Sequence, residues 1–432
     1  MRDFARSDSP AVQDQLDRLA RLSVPDGRLG LDTIRALLGR LGDPHRRLPP
    51  VFHVAGTNGK GSTCAFLRAM LEAQGYAVHV TTSPHLVRYN ERIRVAGELI
   101  GDARLAALLE EVLDVGEDLN PSFFEITIAA AFSEFARVPA DACVVEVGLG
   151  GRFDATNVLG PEVLAACGIA ALGIDHERFL LAPEEGAPPE PLSRIAFEKA
   201  GIAKQGVPLV TMAYGEAQHL AIAEQVERAG TVLRDEGRWW HWGHAAGNRI
   251  GYRDAKGAIL LPQPGLPGVF QYANCALAVA MIRHQDRIDL PLAALKEGAA
   301  KATWPARLQR MSPGPLTGER EVWLDGGHNP SAGERIGEHF AGRRLHLVVG
   351  MLEAKNPAAL TVPLGNGIAS LTVVPVPGHD HHGSAAFGKS ANAAADVSSA
   401  LAGLPEDGLP VLISGSLYLA GEVLRLNGEL PV

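Results

Sequence analysis

Apolar residues recur at helical spacing over residues 11–41. They are Leu16, Leu19 and Leu22, then Leu31, Ile34, Leu37, Leu38 and Leu41, with Val24-Pro25-Asp26-Gly27 breaking the run into two helices. After Pro49-Pro50 the period changes. Val51-Phe52-His53-Val54 predicts a short buried strand, and a glycine-rich turn leads from it into a helix carrying Ala65, Phe66, Ala69 and Met70. The exchange of strand and helix continues with a strand over 77–81, helices over 103–115 and 123–136, and a strand over 143–147. Such alternation predicts an α/β fold with a mostly parallel sheet covered by helices.

Residues 181–191 (LAPEEGAPPEP) predict an exposed excursion. Short β-like pieces around Trp239, Trp240 and Trp242 predict an exposed hairpin within 231–262; His241 and His244 lie there but do not fill a metal coordination shell. A helix over 271–284 closes the first large unit. A second unit opens near Trp304-Pro305 and alternates again: strand 321–324, helix 331–340, strands 345–349 and 371–376, helix 390–401, strand 411–413, helix 416–425. The boundary is drawn at 1–300 and 301–432, leaving a smaller α/β domain of about 130 residues. His379-Asp380-His381-His382 falls in a loop, where solvation explains it better than a metal.

With 432 residues, two or three domains are expected at roughly 100–200 residues each. A chain 46% hydrophobic and 21% charged is neither disordered nor collagenous nor a disulfide-stitched module. The net charge of −9 argues against a nucleic-acid binder but leaves room for small anionic substrates held by local donors. Cys64, Cys143, Cys167 and Cys275 form no C-x-x-C pair and sit in apolar surroundings, so buried free thiols are expected. Residues 1–10 are polar with no apolar signal core, and no run is long enough to span a membrane. A cytoplasmic, monomeric protein is expected.

The strongest chemical signal is Gly56-Thr57-Asn58-Gly59-Lys60-Gly61-Ser62, after a strand and opening a helix. There, backbone N–H groups and a helix N-terminus cradle phosphate, Lys60 neutralises it, and Ser62 or Thr63 adds a hydroxyl. The match to G-x-x-x-x-G-K-[ST] is imperfect: Val54 replaces the first glycine and Gly61 intervenes after Lys60. Downstream, Cys143-Val144-Val145-Glu146-Val147 puts an acid inside an apolar run. A buried carboxylate is costly unless paired or metal-bound. Pairing with Arg152 is one reading; magnesium ligation is favoured by the phosphate turn upstream. Asp175-His176, Glu198-Lys199, and Asp325, His328 and Asn329 are further candidates. Alone, the Glu-Lys pair reads as a solvated helix face, whereas the last group follows a strand and precedes a helix, as ligand sites do in such sheets.

Together these segments resemble the folylpolyglutamate synthase/dihydrofolate synthase family, within the Mur-ligase group of ATP-dependent amide-forming enzymes. The matching pieces run in order through nearly the whole chain: LGLDTIRALLGRLGDPHRRLPPVFHVAGTNGKGS, TTSPHLVRYNERIRV, SFFEITIAAAF, CVVEVGLGGRFDATN, GIDH, FEKAGIAK, QYANCALAVA, WPARLQR, LDGGHNP and ISGSLYLAGEVL. HVAGTNGKGS and EVGLGGRFDATN are the specific ones. The resemblance implies a P-loop-type domain like the Mur-ligase central domain, followed by a smaller Rossmann-like one.

It also implies roles. Asn58, Gly59, Lys60, Gly61 and Ser62 would hold the ATP phosphates. Ser83 and Glu146 would bind one Mg²⁺; Glu146, His176 and Lys199, the last as a carbamate, would serve a second. A carbamate turns a cation into an oxygen ligand, and a histidine donor suggests that Mn²⁺ can substitute. Asn274, Arg307 and Asp325 would contact the nucleotide, and His328 would lie near the transferred phosphate. Arg28, Leu29, Gly30, Leu31, Asp32, Ser122, Phe123, Phe124, Glu125 and Phe153 would line the pterin site. Departures are Ala306 where glycine is frequent, Gly326-Gly327 where Val-Ala or Ala-Ala is frequent, and the 181–191 excursion, which separates His176 from Lys199.

The implied reaction activates a carboxylate with ATP and transfers the acyl group to the amine of L-glutamate, using dihydropteroate and also reduced folates. Positioning and charge stabilisation by Lys60 and Arg307 would carry the phosphoryl transfer, with closure of two lobes on ATP. Two alternatives remain. A Mur-type ligase for a UDP-linked acceptor is disfavoured because no separate UDP-binding domain precedes the Gly56 turn, and a P-loop switch would use ATP only to change shape.

Overall fold

In the computed structural model, which describes residues 6–22 and 30–431, strand β1 (Val51–Ala55) is buried at all five positions. A strand of continuous apolar character needs helices on both faces of its sheet. The Val24–Gly27 break and the substrate candidates Arg28 and Leu29 lie outside the described residues. The chain divides into two compact units, one comprising Met1–Gly265 with Tyr272–Thr303 and the other Leu266–Gln271 with Trp304–Val432.

The first unit is built on eight strands: β1, β2 (Val78–Thr81), β3 (Ile93–Val95), β4 (Glu98–Leu99), β5 (Ala142–Glu146), β6 (Leu164–Ile169), β7 (Leu209–Thr211) and β8 (Leu233–Asp235). Their order is β4-β3-β2-β5-β1-β6-β7-β8. All pairings are parallel except those of β3 and β4 at one edge. Val54 lies opposite Glu146 on one side and Gly168 on the other. From β1 the chain runs to β2, beyond β5; from β5 it runs to β6, on the far side of β1. This reversal opens a crevice at the C-terminal ends of the strands, the usual ligand position in such sheets. One apolar core joins β1 and β5 to the helices Pro10–Arg21, Asp32–Arg40, Asp102–Gly116 and Phe123–Arg137.

The tryptophan-rich stretch is more than an exposed hairpin. Residues 233–235 pair as the edge strand β8, and β9 (Trp240–Ala245), β10 (Arg249–Asp254) and β11 (Gly257–Leu261) form a separate antiparallel sheet. Trp240 is fully buried, stacks on Tyr252 with ring centres 6.0 Å apart, and donates its indole N–H to Arg234 O at 3.0 Å. The size of the indole drives this burial once its N–H is satisfied.

The second unit holds β12 (Gln309–Arg310), β13 (Val322–Leu324), β14 (Leu345–Val349), β15 (Ile368–Val373), β16 (Asn392–Ala393) and β17 (Val411–Ser414), in the order β12-β13-β17-β14-β15-β16. Only β12 is antiparallel. Leu308, Leu345, Leu347, Val349 and Leu412 pack with Ile336 and Phe340 beneath the sheet. The fold is thus α/β, a large mostly parallel sheet with a smaller Rossmann-like unit. The helix expected over 390–401 is replaced by Val397–Ala402, because Asp396 accepts the Ser399 N–H at 2.7 Å and caps a later start. Asn392 and Ala393, upstream of that cap, pair instead with Thr372 and Val373. All four cysteines are buried and free, as expected.

Candidate active site

The turn after β1 is held against the segment that follows β6. Thr57 N–H and Asn58 N–H both donate to Ala171 O, at 2.8 and 3.2 Å, and Thr57 Oγ1 donates to Gly173 O at 2.8 Å. Gly59 caps the helix Lys60–Ala73 at φ +83° and supplies no side-chain cap. With no side-chain cap supplied, the helix N-terminus and its dipole favour an anion at this turn. A Cβ on Gly59 would stand 2.5 Å from Asn274 Oδ1. That glycine therefore serves both the left-handed backbone and the close approach of Asn274, itself buried on the helix Phe270–Arg283. Lys60 Nζ donates to Thr57 O at 3.3 Å, folding back over the turn. In the same helix turn Thr63 Oγ1 is buried with no hydrogen-bond partner.

Glu146 ends β5 beside this turn and is 5% exposed. Its Oε2 accepts the Ser83 N–H at 3.1 Å, bringing the two metal candidates nearest the phosphate turn together. Burial and then the Glu146 charge push the Cys64 thiol up, while Lys60 pulls it down, so Lys60 and Glu146 act on one neighbourhood. Lys199 belongs to it as well. It is 4% exposed, and burial, followed by the nearby Lys60 charge, brings its ammonium down to about 7 against the opposing pull of Asp175, Asp154 and Glu198. The solvated Glu-Lys face suggested by sequence is thus corrected: Glu198 and Lys199 are both buried, because the helix Pro191–Ala200 packs inward along its whole second half. His176 takes a left-handed φ of +53°, its N–H bonded to Asp175 Oδ1 at 2.8 Å.

Arg152 does not serve as the partner of Glu146. It is bound by Glu184 and Glu198, at 2.5 and 2.7 Å. The loop it belongs to is shaped by Asp154, which accepts Leu149 N–H at 2.7 Å and Thr156 N–H at 3.0 Å. Sequence reasoning missed the roles of Glu184 and Asp154, since a charged residue at a loop carries no periodic signal, and of Arg194, whose helix reads from sequence as solvated but packs inward. Among the described residues no group of three or more His, Cys, Asp or Glu is arranged for a metal. The donors named from sequence are of mixed type: the Ser83 hydroxyl, the buried Glu146 carboxylate, the His176 imidazole and the Lys199 amine, which burial brings to about 7. The serine oxygen and the buried carboxylate suit a hard divalent ion, and the imidazole nitrogen suits Mn²⁺. Two loop histidines are engaged elsewhere: His379 meets the Tyr418 ring at a tilt, ring centres 3.9 Å apart, and His382 Nε2 donates to Lys355 O at 2.7 Å.

The expected pterin contacts group less tightly. Ser122 and Glu125 form a reciprocal cap at the start of the helix Phe123–Arg137, Glu125 N–H to Ser122 Oγ at 3.3 Å and Ser122 N–H to Glu125 Oε2 at 2.7 Å. Phe124 packs on Gly148, where a Cβ would meet the ring at 2.5 Å, and Arg152 lies over the Phe153 ring at 4.4 Å. Phe123 meets Tyr89 edge-on at 5.6 Å. Gly30 and Asp32 are exposed and Leu31 is buried ahead of the helix Asp32–Arg40.

In the second unit, Arg307 stands between two left-handed residues, Ala306 (φ +54°) and Leu308 (φ +45°). Asp325 locks this turn. Its Oδ2 accepts Leu308 N–H at 2.8 Å and its Oδ1 accepts Gly327 N–H at 2.7 Å, while burial raises its carboxyl above the usual range. His328 Nδ1 is bonded to Gly326 O at 3.0 Å, and Asn329 caps the helix Pro330–His339 through Ala332 N–H at 2.9 Å.

No family model matches the chain. The chain is 34% identical over 350 residues to the dihydrofolate synthase/folylpolyglutamate synthase of Bacillus subtilis, covering 76% of each chain. It is 32% identical over 417 residues to the Escherichia coli protein of the same description, covering 92% of this chain and 91% of that one. Among solved structures, E. coli FolC in complex with DHPP and ADP superposes with a TM-score of 0.84 at 29% identity, over 97% of this chain and 98% of that one. The Yersinia pestis bifunctional enzyme with AMPPNP and Mn ion gives 0.83 at 28% identity, over 98% and 99%.

Proposed function

The chain belongs to the dihydrofolate synthase/folylpolyglutamate synthase family of ATP-dependent ligases, and on that premise we propose that it joins L-glutamate to dihydropteroate and to reduced folates. The observation that carries this reading is the shared neighbourhood of the Gly56–Ser62 turn, Lys60, Glu146 and Lys199 at the crevice of the main sheet. Escherichia coli FolC binds ADP and DHPP, the Yersinia pestis enzyme binds AMPPNP and Mn, and a bifunctional folylpolyglutamate synthase/dihydrofolate synthase binds Mn, AMPPNP and L-glutamate together. ATP, a divalent ion and small-molecule substrates follow for this chain.

A carboxylate is a poor electrophile. Its oxygen attacks the γ-phosphorus of ATP, ADP leaves, and an acyl phosphate forms. The neutral α-amine of glutamate then attacks the acyl carbon, phosphate departs, and the amine proton is lost to a base. The protein contributes charge and position rather than a covalent bond. The Gly59–Ser62 amides and Lys60 hold the phosphates and offset charge on the transferred group, and Asn274 meets the nucleotide beside Gly59. Arg307 is the second cationic contact to the nucleotide, with Asp325 beside it, and His328 lies near the transferred phosphate. Ser83 and Glu146 would hold one Mg²⁺, and Glu146, His176 and Lys199, the last as a carbamate, would hold a second. The ion, when bound, screens phosphate charge. Gly30–Asp32, Ser122–Glu125 and Phe153 bound the pterin. The larger domain carries ATP and pterin, the smaller one glutamate, and the protein acts as a monomer.

Separate assays with dihydropteroate and with tetrahydrofolate, each with ATP and glutamate, test the assignment by product mass. A gain of one glutamyl unit on each acceptor is expected. No product with either would overturn it.

A further inference from the structure

Glu184 lies in the middle of the 181–191 excursion, a segment with mostly exposed neighbours. Its carboxylate is nevertheless engaged by two arginines. Arg152 reaches it at 2.5 Å through Nη2 and 3.1 Å through Nη1, and Arg194 at 2.7 Å. The same two arginines hold Glu198, Arg152 at 2.7 Å and Arg194 at 2.9 Å. The four side chains close a ring of alternating charge with no net charge. Two of its members, Arg194 and Glu198, are nearly excluded from water, their side chains 7% and 6% exposed. In such a ring, loss of one carboxylate leaves two guanidinium groups facing the other, a strongly unfavourable arrangement away from solvent.

The ring touches three segments at once. Glu184 comes from the excursion, Arg152 from the loop after β5, and Arg194 and Glu198 from the helix Pro191–Ala200. Backbone bonds add to the seam next to Lys199. Arg152 N–H donates to Glu198 O at 2.8 Å, and Asn157 Nδ2 donates to Arg152 O at 2.9 Å and Gly201 O at 3.0 Å. The residues immediately before Lys199 and two beyond it are therefore tied to the loop that Glu184 helps to hold.

We propose that Glu184 is a positioning residue: by clamping Arg152 and Arg194 it presses the helix Pro191–Ala200 onto the loop after β5 and fixes where Lys199 stands. The excursion that separates His176 from Lys199 in sequence is then the strap that restores the placement of Lys199 in space. What Lys199 is placed for rests on the proposed function; the clamp itself does not.

Glu184→Gln keeps the shape and removes the charge. Glu185→Gln, on the same excursion but exposed and outside the ring, is the control, and Glu184→Asp is the conservative variant. The first readout is acylation of Lys199, followed by peptide mass spectrometry and normalised to the exposed Lys301. The second is amide hydrogen exchange over the whole chain, and the third is Mn²⁺ binding to the purified protein. With Glu184→Gln, Lys199 labelling is expected to rise about fivefold or more, exchange to rise over 191–201 alone, and Mn²⁺ binding to weaken. Glu184→Asp should fall between Glu184→Gln and the unmodified protein, and Glu185→Gln should change nothing. Should Glu184→Gln not fold, Glu184→Asp carries the same comparison. Lys199 labelling within about twofold of the unmodified protein overturns the clamp, as does an exchange increase shared equally by β1 and β5. An unmodified protein without pterin-dependent turnover would remove the proposed function and leave the labelling result standing. An unmoved Lys199 in an active ligase would remove the clamp alone.

Discussion

Asn274 Oδ1 stands 2.5 Å from the point where a Cβ would leave Gly59, and Gly59 itself sits at φ +83°. The buried amide and the phosphate turn are fitted to each other with no room for a methyl group. Gly59→Ala must shift Asn274 and also hold a left-handed backbone, at a cost of about 1–2 kcal/mol for the backbone alone. Calorimetric titration with ADP should show affinity weakened about tenfold or more. Unchanged affinity would mean that the nucleotide does not use this turn.

Lys199 is held at an expense to the fold. Burial brings it from 10.5 to about 7. The unfolded chain binds a proton that the folded chain resists between those two values. Stability from this group is therefore complete only above about 10.5 and is lost as pH falls through 7. Lys199→Met should raise the unfolding free energy at pH 7 by about 1–4 kcal/mol, read by urea denaturation, while abolishing ligase turnover. A variant that is both less stable and fully active would contradict the site.

Ala306 and Leu308 flank Arg307 with left-handed backbones. Ala306→Gly removes the Cβ strain there and should stabilise the protein by up to about 1 kcal/mol. Leu308→Gly relieves the same strain but deletes a fully buried side chain, and should destabilise by about 2–5 kcal/mol. Thermal unfolding of the pair separates backbone strain from packing. Equal and opposite effects are not expected, and destabilisation by Ala306→Gly would show that the turn is not strained.

His53 is fully buried, its Nε2 2.8 Å from Thr156 Oγ1, and burial lowers it to about 3. The unfolded ring protonates near 6.5 and the folded ring does not until about 3, so stability is lost as pH falls through that window. The slope is about 1.4 kcal/mol per pH unit for this one group. Unfolding free energies at pH 7 and pH 5 should therefore differ less in His53→Gln than in the unmodified protein, by about 2 kcal/mol. Equal differences would mean that the ring is protonated in the folded state.

The strands that build the crevice were legible because β1 and β5 are continuous apolar runs, and the phosphate turn because Gly59 and Lys60 sit where a strand gives way to a helix. The alanines at 391 and 393–395 give the 390–401 stretch a helical look, but the Asp396 cap starts the helix only at Val397. Three close tryptophans do not say which of them turns inward, and in the fold it is Trp240 that is buried while Trp239 stays exposed. The ring of Arg152, Glu184, Arg194 and Glu198 was invisible for a different reason: it joins residues up to 46 positions apart, and an ion pair at that range leaves no local period. Glu198 and Lys199 look like a solvated face until the helix that carries them is seen packed on the loop after β5.

The claim on which the account turns is that ATP activates the acid of the pterin substrate by phosphorylating it. Dihydropteroate labelled with ¹⁸O in its carboxylate, supplied with ATP and glutamate, tests this directly. The account predicts one ¹⁸O atom in each phosphate released, in step with amide formation. Phosphate released without the label, or label retained entirely in the pterin product, would contradict it.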